Sequence, residues 1–190
     1  MRIIAGSAGG RRLATLPGLH TRPTADRVKE AMFSVLMPYL PDSRVLDAFA
    51  GSGALGLEAL SRGARSAIFV EKDRAAASVV EKNLLACGFA NGKLMKGDVL
   101  TLLPRLKNQQ PELCFDLILA DPPYQAGLLA PLMDLVASLS LLADDGIFLA
   151  ETAKKTPFAP VEPWRIIKES TYGDTVVHYC RLIGRETHGE

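Results

Sequence analysis

Residues 44–63 read "RVLDAFAGSGALGLEALSRG" and carry the clearest structural signal in the chain. An apolar run leads to Asp47, a glycine-rich turn follows, and apolar residues at helical spacing continue to Gly63. That order predicts a strand, a tight turn and a helix that packs back on the strand. Residues 51–56 match G-x-G-x-x-G, a pattern typical of turns that bind dinucleotides such as NAD or FAD.

Strand and helix signals alternate along the rest of the chain as they do in this stretch. Such alternation requires a mostly parallel sheet that is covered by helices on both faces. The last two apolar runs predict an antiparallel pair that closes the sheet. We therefore expect an α/β, Rossmann-like fold with a mostly parallel seven-stranded sheet. The predicted strands lie at 44–50, 66–72, 92–99, 115–123, 146–152, 164–173 and 175–183.

The first thirty residues are the most basic part of the chain. They have a local net charge of +4, whereas the other 160 residues carry −3. A glycine-rich turn between two short extended runs predicts a hairpin, and a helix with Arg27 and Lys29 on its polar face follows. We divide the chain into a basic hairpin arm, residues 1–23, and a main domain, residues 24–190. On charge alone, a phosphate-binding arm and a solvated basic surface are equally good interpretations.

The composition argues against several classes of protein. With 190 residues, 48% of them hydrophobic and 23% charged, the chain is long enough for a substantial core and is not typical of a disordered protein. Its three cysteines form no C-x-x-C pair and its three histidines are scattered, so we expect neither a disulfide nor a metal site. We recognise no signal peptide and no membrane-spanning stretch. These features predict a soluble, cytoplasmic protein that contacts no membrane, and we expect a monomer.

Acidic residues follow four consecutive predicted strands. They are Asp47, Glu71, Asp98 and Asp121. Each of the first three has a local structural explanation, as a turn cap, a solvated strand end or a helix cap. The carboxyl ends of parallel strands meet at one edge of the sheet, where such folds bind ligands. Four acids at that edge favour a ligand that combines a positive charge with a ribose.

The acid before the glycine loop separates two kinds of cofactor. Glu71 lies twenty residues beyond Gly51 and can accept ribose hydroxyls, as its counterpart does for NAD. Asp47, however, would repel a pyrophosphate. S-adenosylmethionine has no phosphate and carries an ammonium and a sulfonium. It therefore suits this loop better, with Gly51 and Gly53 allowing the backbone close to the ligand, while an NAD-dependent oxidoreductase is kept as an alternative.

Residues 121–124, "DPPY", resemble the catalytic loop of amino-methyltransferases that act on the exocyclic amines of bases. An aryl amine is a poor nucleophile because its lone pair is delocalised into the ring. Asp121 and the Pro122 carbonyl can accept its two N–H bonds, and Tyr124 can stack on the base. The motif does not distinguish guanine N2 from adenine N6 in DNA or RNA, and a rigid surface turn is the non-catalytic alternative.

Over nearly its whole length the chain resembles the bacterial 16S ribosomal RNA guanine-N2 methyltransferases. The resemblance rests on "RIIAGSAGGRRL", "TRPTADRVKEAMFSVL", "VLDAFAGSGALGLEALSRGA", "FVEKD", "DLILADPPY" and "YGDTVVHY". The second of these motifs is the most specific. The resemblance implies the class I methyltransferase fold for residues 24–190. It also implies methyl transfer from S-adenosylmethionine to one guanine of 16S rRNA in the assembled or assembling small ribosomal subunit.

The resemblance also assigns site residues. It implies that Asp121, Pro122 and Tyr124 are catalytic. For the cofactor it implies Asp47, Ala48, Gly51, Gly53, Glu71, Lys72, Asp98, Val99 and Asp121. For RNA phosphates it implies Arg2, Arg11, Arg12, Arg22 and Arg27, although Arg27 can equally pair with Glu30 or with the cofactor carboxylate. A non-catalytic RNA-binding assembly factor on the same scaffold is a further alternative.

Overall fold

A computed structural model of the chain describes residues 1–16, 23–123 and 127–183, with only the backbone described at 23–25. Within these residues one seven-stranded sheet has the strand order β3-β2-β1-β4-β5-β7-β6. The strands are β1 Arg44–Asp47, β2 Ser66–Glu71, β3 Gly92–Lys96, β4 Phe115–Ala120, β5 Leu142–Ala153, β6 Trp164–Tyr172 and β7 Thr175–Leu182. Strands β1 to β5 are parallel to one another, and β7 is antiparallel to both β5 and β6. This arrangement confirms the predicted fold.

Helices cover both faces of the sheet, as the apolar strands require. The helices are α1 Pro23–Leu36, α2 Ala54–Ser61, α3 Arg74–Cys87, α4 Val99–Gln109 and α5 Leu129–Ser138. One core lies between the sheet and α1, α2 and α3, and a second lies between the sheet and α4 and α5. Buried strand residues such as Leu117 and Ile118 point to opposite cores. The carboxyl ends of the strands are left open between the two helical layers.

Strand β5 begins four residues earlier than the sequence pattern predicts. Leu142 already pairs with Phe115, and the register then shifts so that Leu117 pairs with Ile147. The extra residues of β5 bulge outward, and they include the exposed acids Asp144 and Asp145. Two consecutive acids before a glycine have the composition of a turn, which is why the sequence pattern places the start of the strand later.

The N-terminal segment doubles back on itself, as predicted. Arg2 and Arg12 form an antiparallel bridge, and the Ile3 N–H donates to the Arg11 carbonyl at 2.9 Å. Ile3 and Leu13 are buried in the core that contains α1 and α2. The segment is therefore packed on the body of the protein, while its separation at residue 23 from a main domain stays a prediction.

Among the described residues, no helix has both the length and the apolar character needed to cross a lipid bilayer.

Candidate active site

A large cleft opens at the carboxyl edge of the sheet, where the sequence pattern predicts a ligand-binding site. Its volume is about 1250 Å³. The residues after β1, β2, β3 and β4 all contribute to its wall, together with part of α1 and the β6–β7 turn. The predicted cofactor residues that line the cleft are Asp47, Ala48, Gly51, Glu71, Lys72, Asp98, Val99 and Asp121.

Asp47 ends β1 and lies at the bottom of the cleft. Its residue exposure is only 2%, and one carboxylate oxygen accepts the Gly56 N–H at 2.9 Å. Burial raises the pKa of Asp47 to about 7, helped by the negative charge of Glu71 and opposed by the hydrogen bond from Gly56. A cation bound beside Asp47 would favour its ionised form.

Glu71 holds the glycine loop in place from the end of β2. One of its oxygens accepts the Gly51 N–H at 2.7 Å, and the other accepts the Asp73 N–H at 2.7 Å. An ionised carboxylate has about four lone-pair positions. Glu71 therefore keeps capacity to accept ribose hydroxyls while it orders the loop.

The glycines of the loop serve different purposes. Gly51 lines the cleft and has a φ of +55°, in the left-handed region that favours glycine. Gly53, the residue before α2, does not line the cleft and is buried, and a Cβ built on it would meet Leu57 at 3.3 Å. A Cβ on Gly56 would lie 2.3 Å from Phe69, so this glycine allows close contact between α2 and β2. A direct contact between Gly53 and a cofactor stays a prediction.

Asp98 combines two contacts at the outer end of the cleft. Its side chain accepts the Leu100 N–H at 3.0 Å and so caps α4. Its other oxygen pairs with Lys72 at 3.0 Å. The hydrogen bond from Lys72 holds the pKa of Asp98 below its ordinary value. Asp98 therefore caps α4 and also lines the cleft, while its contact with a cofactor stays a prediction.

Asp121 follows β4 and lies on the cleft wall, where Pro122 and Glu151 also line the cavity. Desolvation by the surrounding protein, together with the charges of Glu151 and Asp47, raises the pKa of Asp121 above its ordinary value. The residue remains open to solvent in the cleft, which limits this shift. Pro122 is buried beside it. Tyr124 lies outside the described residues.

The charges around the cleft fit a cation that carries no phosphate. Six carboxylates and two lysines line it. Lys29 is paired with Glu58 and Lys72 with Asp98, so neither ammonium is available to balance a pyrophosphate without breaking a contact. This excess of carboxylates over available ammonium groups thus fits the positive charges of S-adenosylmethionine. Across 1–16, 23–123 and 127–183, no three His, Cys, Asp or Glu residues form a group that could hold a metal ion.

Two parts of the cleft were not predicted from the sequence. Glu151 lines it from β5, near the carboxyl end of the strand next to β4. The rule that identified the other acids, an acid at the end of a parallel strand, would also have found this one. Residues 172–175, in the turn between β6 and β7, close another side. Their position depends on the antiparallel pairing of β7 with β5, which has no local signal.

None of the described arginines assigned to RNA lines the cleft. Arg2, Arg11, Arg12 and Arg27 are exposed, and Arg22 falls outside the described residues. Arg2 pairs with Asp26 at 3.1 Å. The Arg2–Arg12 bridge places their side chains on one face of the hairpin.

Lys29 does not lie on a polar helix face, and that prediction is wrong. It is 4% exposed and its ammonium lies 2.9 Å from Glu58. A lysine surrounded by polar neighbours in sequence has the signature of a solvated position. Only the tertiary contact with α2 reveals its burial.

Comparisons with known proteins agree with this geometry. The family model described as Conserved hypothetical protein 95 matches residues 1–181. The chain is 39% identical to "Ribosomal RNA small subunit methyltransferase D" of Haemophilus influenzae, covering 91% of this chain and 89% of that protein. The solved Escherichia coli structure of yhhF is 30% identical, with a TM-score of 0.84 and coverage of 97% of this chain and 99% of that one.

A more distant structure shows the fold. The T. thermophilus 16S rRNA N2 G1207 methyltransferase, solved in complex with AdoMet and guanosine, has a TM-score of 0.65 at 24% identity, over 88% of this chain and 45% of that one. Taken with the closer matches, this likeness identifies the sheet and its open edge as those of class I S-adenosylmethionine-dependent methyltransferases. The chain therefore belongs to the Conserved hypothetical protein 95 family and is a relative of the ribosomal RNA small subunit methyltransferase D of H. influenzae.

Proposed function

We propose that this protein transfers a methyl group from S-adenosylmethionine to the exocyclic N2 amine of one guanine in 16S rRNA. The substrate is the assembled or assembling small ribosomal subunit, and the protein acts as a monomer in the cytoplasm. The name of the H. influenzae relative supports ribosomal RNA of the small subunit as substrate. The motif of residues 121–124 supports an exocyclic base amine as the methyl acceptor, and the family resemblance of residues 21–36 supports guanine N2.

One observation supports this proposal most strongly. Asp121 and Pro122 share a single cleft with Asp47, Glu71 and Asp98. The group suited to an aryl amine thus faces the same space as the groups suited to a cationic nucleoside. A turn with a purely structural role would not need to line this cleft.

Several residues of the chain would hold the cofactor. Glu71 would accept its ribose hydroxyls, Asp98 would accept N–H groups of its base, and Asp47 would favour its positive charges. Gly51, Ala48, Gly53, Lys72 and Val99 would complete the contacts. When bound, S-adenosylmethionine supplies an electrophilic methyl group on its sulfonium.

The protein's part in the chemistry is to hold the amine and take its proton. The Asp121 carboxylate and the Pro122 carbonyl accept the two N–H groups, so the nitrogen lone pair is turned toward the cofactor side of the cleft. As the N–C bond formed, the bond between sulfur and the methyl group would break and leave the neutral thioether S-adenosylhomocysteine; the nitrogen would then be cationic and strongly acidic and would have to lose a proton. The raised pKa of Asp121 makes it a better acceptor for that proton than an ordinary aspartate. Tyr124 would stack on the base.

The basic hairpin would position the RNA. Arg2 and Arg12 lie side by side on one face, and Arg2 also pairs with the Asp26 carboxylate at 3.1 Å. A phosphate bound at this face would take the place of Asp26 at Arg2 and would contact Arg12 as well. We expect Arg11, Arg22 and Arg27 to add further phosphate contacts that fix register without reading bases.

Three alternatives remain, and three measurements separate them. Small subunits from cells with and without this protein are compared by mass mapping of their 16S rRNA. Purified protein is then supplied with tritiated cofactor, and its binding of NAD and of S-adenosylhomocysteine is measured by calorimetry. One N2-methylguanine that depends on the protein is the expected result. Label in N6-methyladenine would favour the adenine alternative, binding of NAD in place of S-adenosylhomocysteine would favour an oxidoreductase, and absence of transfer would favour a non-catalytic factor.

A further inference from the structure

Asn83 is a buried amide on helix α3. It is only 2% exposed, although its neighbours on the buried face of the helix, Val80 and Leu84, are apolar. Burying an amide among apolar side chains is costly unless its hydrogen bonds are made inside the protein. An apolar residue would fill this position of α3 without that cost. The hydrogen bonds of Asn83 therefore indicate a role other than filling the core.

The Asn83 amide binds the N-terminal segment as a neighbouring strand would. Its Oδ1 accepts the Ala14 N–H at 2.8 Å, and its Nδ2 donates to the Ala14 carbonyl at 3.0 Å. One side chain thus pairs both backbone groups of Ala14. Ala14 follows Leu13, whose N–H donates to the Met1 carbonyl at 3.0 Å at the open end of the basic hairpin. Asn83 therefore anchors the open end of the hairpin to α3.

The same amide also reaches the glycine loop of the cleft. A side-chain amide has two N–H donors, and the Asn83 Nδ2 donates to the Ser52 carbonyl at 2.8 Å as well. Glu71 accepts the Gly51 N–H at 2.7 Å, so two side chains hold adjacent parts of the loop. Gly51 and Gly53 have φ angles of +55° and +80°, and glycines of this kind have little intrinsic preference for one conformation. The hydrogen bonds from outside the loop therefore fix its shape.

The N-terminal segment and the glycine loop border one cavity. Met1, Thr15 and Ser52 all line the cofactor cleft, whereas Asn83 does not. The Ser52 hydroxyl lies 3.7 Å from the Met1 Sδ, a weak contact between the two pieces of backbone. Asn83 thus joins two walls of the cleft from outside it, and it acts on a ligand only through them.

We propose that Asn83 is a positioning residue that couples the glycine loop to the N-terminal segment. Through this contact, a cofactor that orders the loop also holds the open end of the hairpin in place. By linkage, a hairpin held in place by its own ligand strengthens cofactor binding by the same factor. The coupling concerns the cofactor site, and only the part of the hairpin in RNA binding rests on the proposed function.

Hydrogen exchange of single amides tests the coupling in the full-length protein. NMR follows exchange with and without S-adenosylhomocysteine at about 100 times its dissociation constant. If the loop and the segment open together, the ligand should slow exchange of the Ala14 amide by about 10- to 100-fold. Slower exchange of the Gly51 amide reports that the ligand is bound at the loop. The Gln110 amide, which donates to the Leu106 carbonyl at the end of α4, is the internal control and should not change.

The variant Asn83→Leu separates this role from a contribution to stability. It keeps the approximate size of the side chain and removes all three hydrogen bonds. The loop then occupies its binding conformation less often, so calorimetry should show S-adenosylhomocysteine bound about 3- to 30-fold more weakly. The ligand should no longer slow exchange of the Ala14 amide.

Leu84→Ala is the matched control on the same helix. Leu84 is buried but packs against Gly92, which begins β3 at the edge of the sheet opposite the cleft. This variant should lower the free energy of unfolding through the cavity it leaves. It should nevertheless keep the wild-type affinity for S-adenosylhomocysteine and the wild-type response of the Ala14 amide.

A second variant, Asn83→Asp, tests the same link if Asn83→Leu does not fold. The carboxylate keeps an acceptor for the Ala14 N–H but has no donor for the Ser52 carbonyl. The Ala14 amide should therefore stay bonded and yet stop responding to the ligand.

Three results would overturn the coupling. One is unchanged exchange at Ala14 in wild-type protein whose Gly51 amide is slowed by the ligand. Another is a wild-type response of Ala14 in either Asn83 variant. The third is an equal loss of affinity in Leu84→Ala and Asn83→Leu. None of these measures methyl transfer, so each leaves the proposed function standing, whereas failure to methylate guanine N2 would contradict the proposed function and leave the coupling intact.

Discussion

The carboxylate of Glu58 lies 2.9 Å from the Lys29 ammonium, and neither side chain is more than 5% exposed. Glu58 also pairs with Arg62 at 2.7 Å and accepts the N–H groups of Ile4 and Ala5 at 2.8 and 3.1 Å. One carboxylate thus joins α1, α2 and the N-terminal hairpin. Burial by itself raises the pKa of Glu58. The hydrogen bond from the Ile4 N–H and the charges of Lys29 and Arg62 lower it by more than burial raises it, so the pKa lies below its ordinary value.

Replacing Glu58 by glutamine should destabilise the protein strongly. The change keeps the size of the side chain but leaves the buried ammonium of Lys29 without a counter-charge, which typically costs about 3–5 kcal/mol. Urea unfolding at neutral pH measures the loss. Glu81→Gln is the control, because its pair with Lys96 is about half exposed and should contribute no more than about 1 kcal/mol. Equal effects of the two variants would show that Glu58 does not organise the core in this way.

Replacing Asp121 by asparagine should abolish methyl transfer and leave cofactor binding nearly unchanged. The amide cannot accept a proton from the amine, and a single positioned acceptor typically contributes about 10²–10⁴-fold in rate. Transfer is measured with tritiated cofactor on small subunits, and binding by calorimetry with S-adenosylhomocysteine. Asp145→Asn is the control for loss of an acidic side chain. Transfer at the wild-type rate by Asp121→Asn would remove Asp121 from the chemistry.

Asp47 should make stability depend on pH. Its pKa is about 7 in the folded protein against an ordinary 3.8, so the folded protein binds this proton more tightly than the unfolded chain does. Ionisation of Asp47 therefore lowers the free energy of unfolding progressively as the pH rises from 3.8 to about 7. Asp47→Asn keeps an acceptor for the Gly56 N–H and removes the charge. It should stabilise the protein by on the order of 2–4 kcal/mol at about pH 8 and much less at about pH 5.

Urea unfolding of wild-type protein and Asp47→Asn at both pH values tests this expectation. Stabilisation of the same size at the two pH values would contradict the raised pKa.

Asp47→Asn should also weaken the binding of S-adenosylmethionine more than the binding of S-adenosylhomocysteine, because only the former carries a sulfonium charge.

The sequence predicts the sheet and the acids at its edge because both follow from local patterns. A strand that is buried on both faces is apolar along most of its length, so Asp47 and Asp121 mark where the apolar runs of β1 and β4 end. The parallel topology then brings the carboxyl ends together. No pattern of longer range is needed to predict that Asp47, Glu71, Asp98 and Asp121 share one cleft.

The features that the sequence did not predict depend on contacts between distant residues. Lys29 and Glu58 pair across 29 positions, and each resembles a solvated helix residue within its own helix. A cavity of about 290 Å³ beside Pro122 lies between α5 and the β5–β6 connection. Phe158 of that connection and Trp164 at the start of β6 line it together with residues of α5. Neither arrangement produces a hydrophobic periodicity or a motif that can be recognised in the sequence.

Reversing the charge of Arg12 should weaken binding to small subunits in a way that depends on salt. Arg12 is exposed beside Arg2, so a phosphate contact at this pair releases counterions that the variant Arg12→Glu would not release. The slope of log K against log salt should become shallower by about 1. Arg105→Glu is the control, since Arg105 is exposed on α4, in the helical layer across the sheet from the hairpin. Equal slopes for wild-type protein and Arg12→Glu, measured by filter binding across a salt series, would place the hairpin outside the RNA interface.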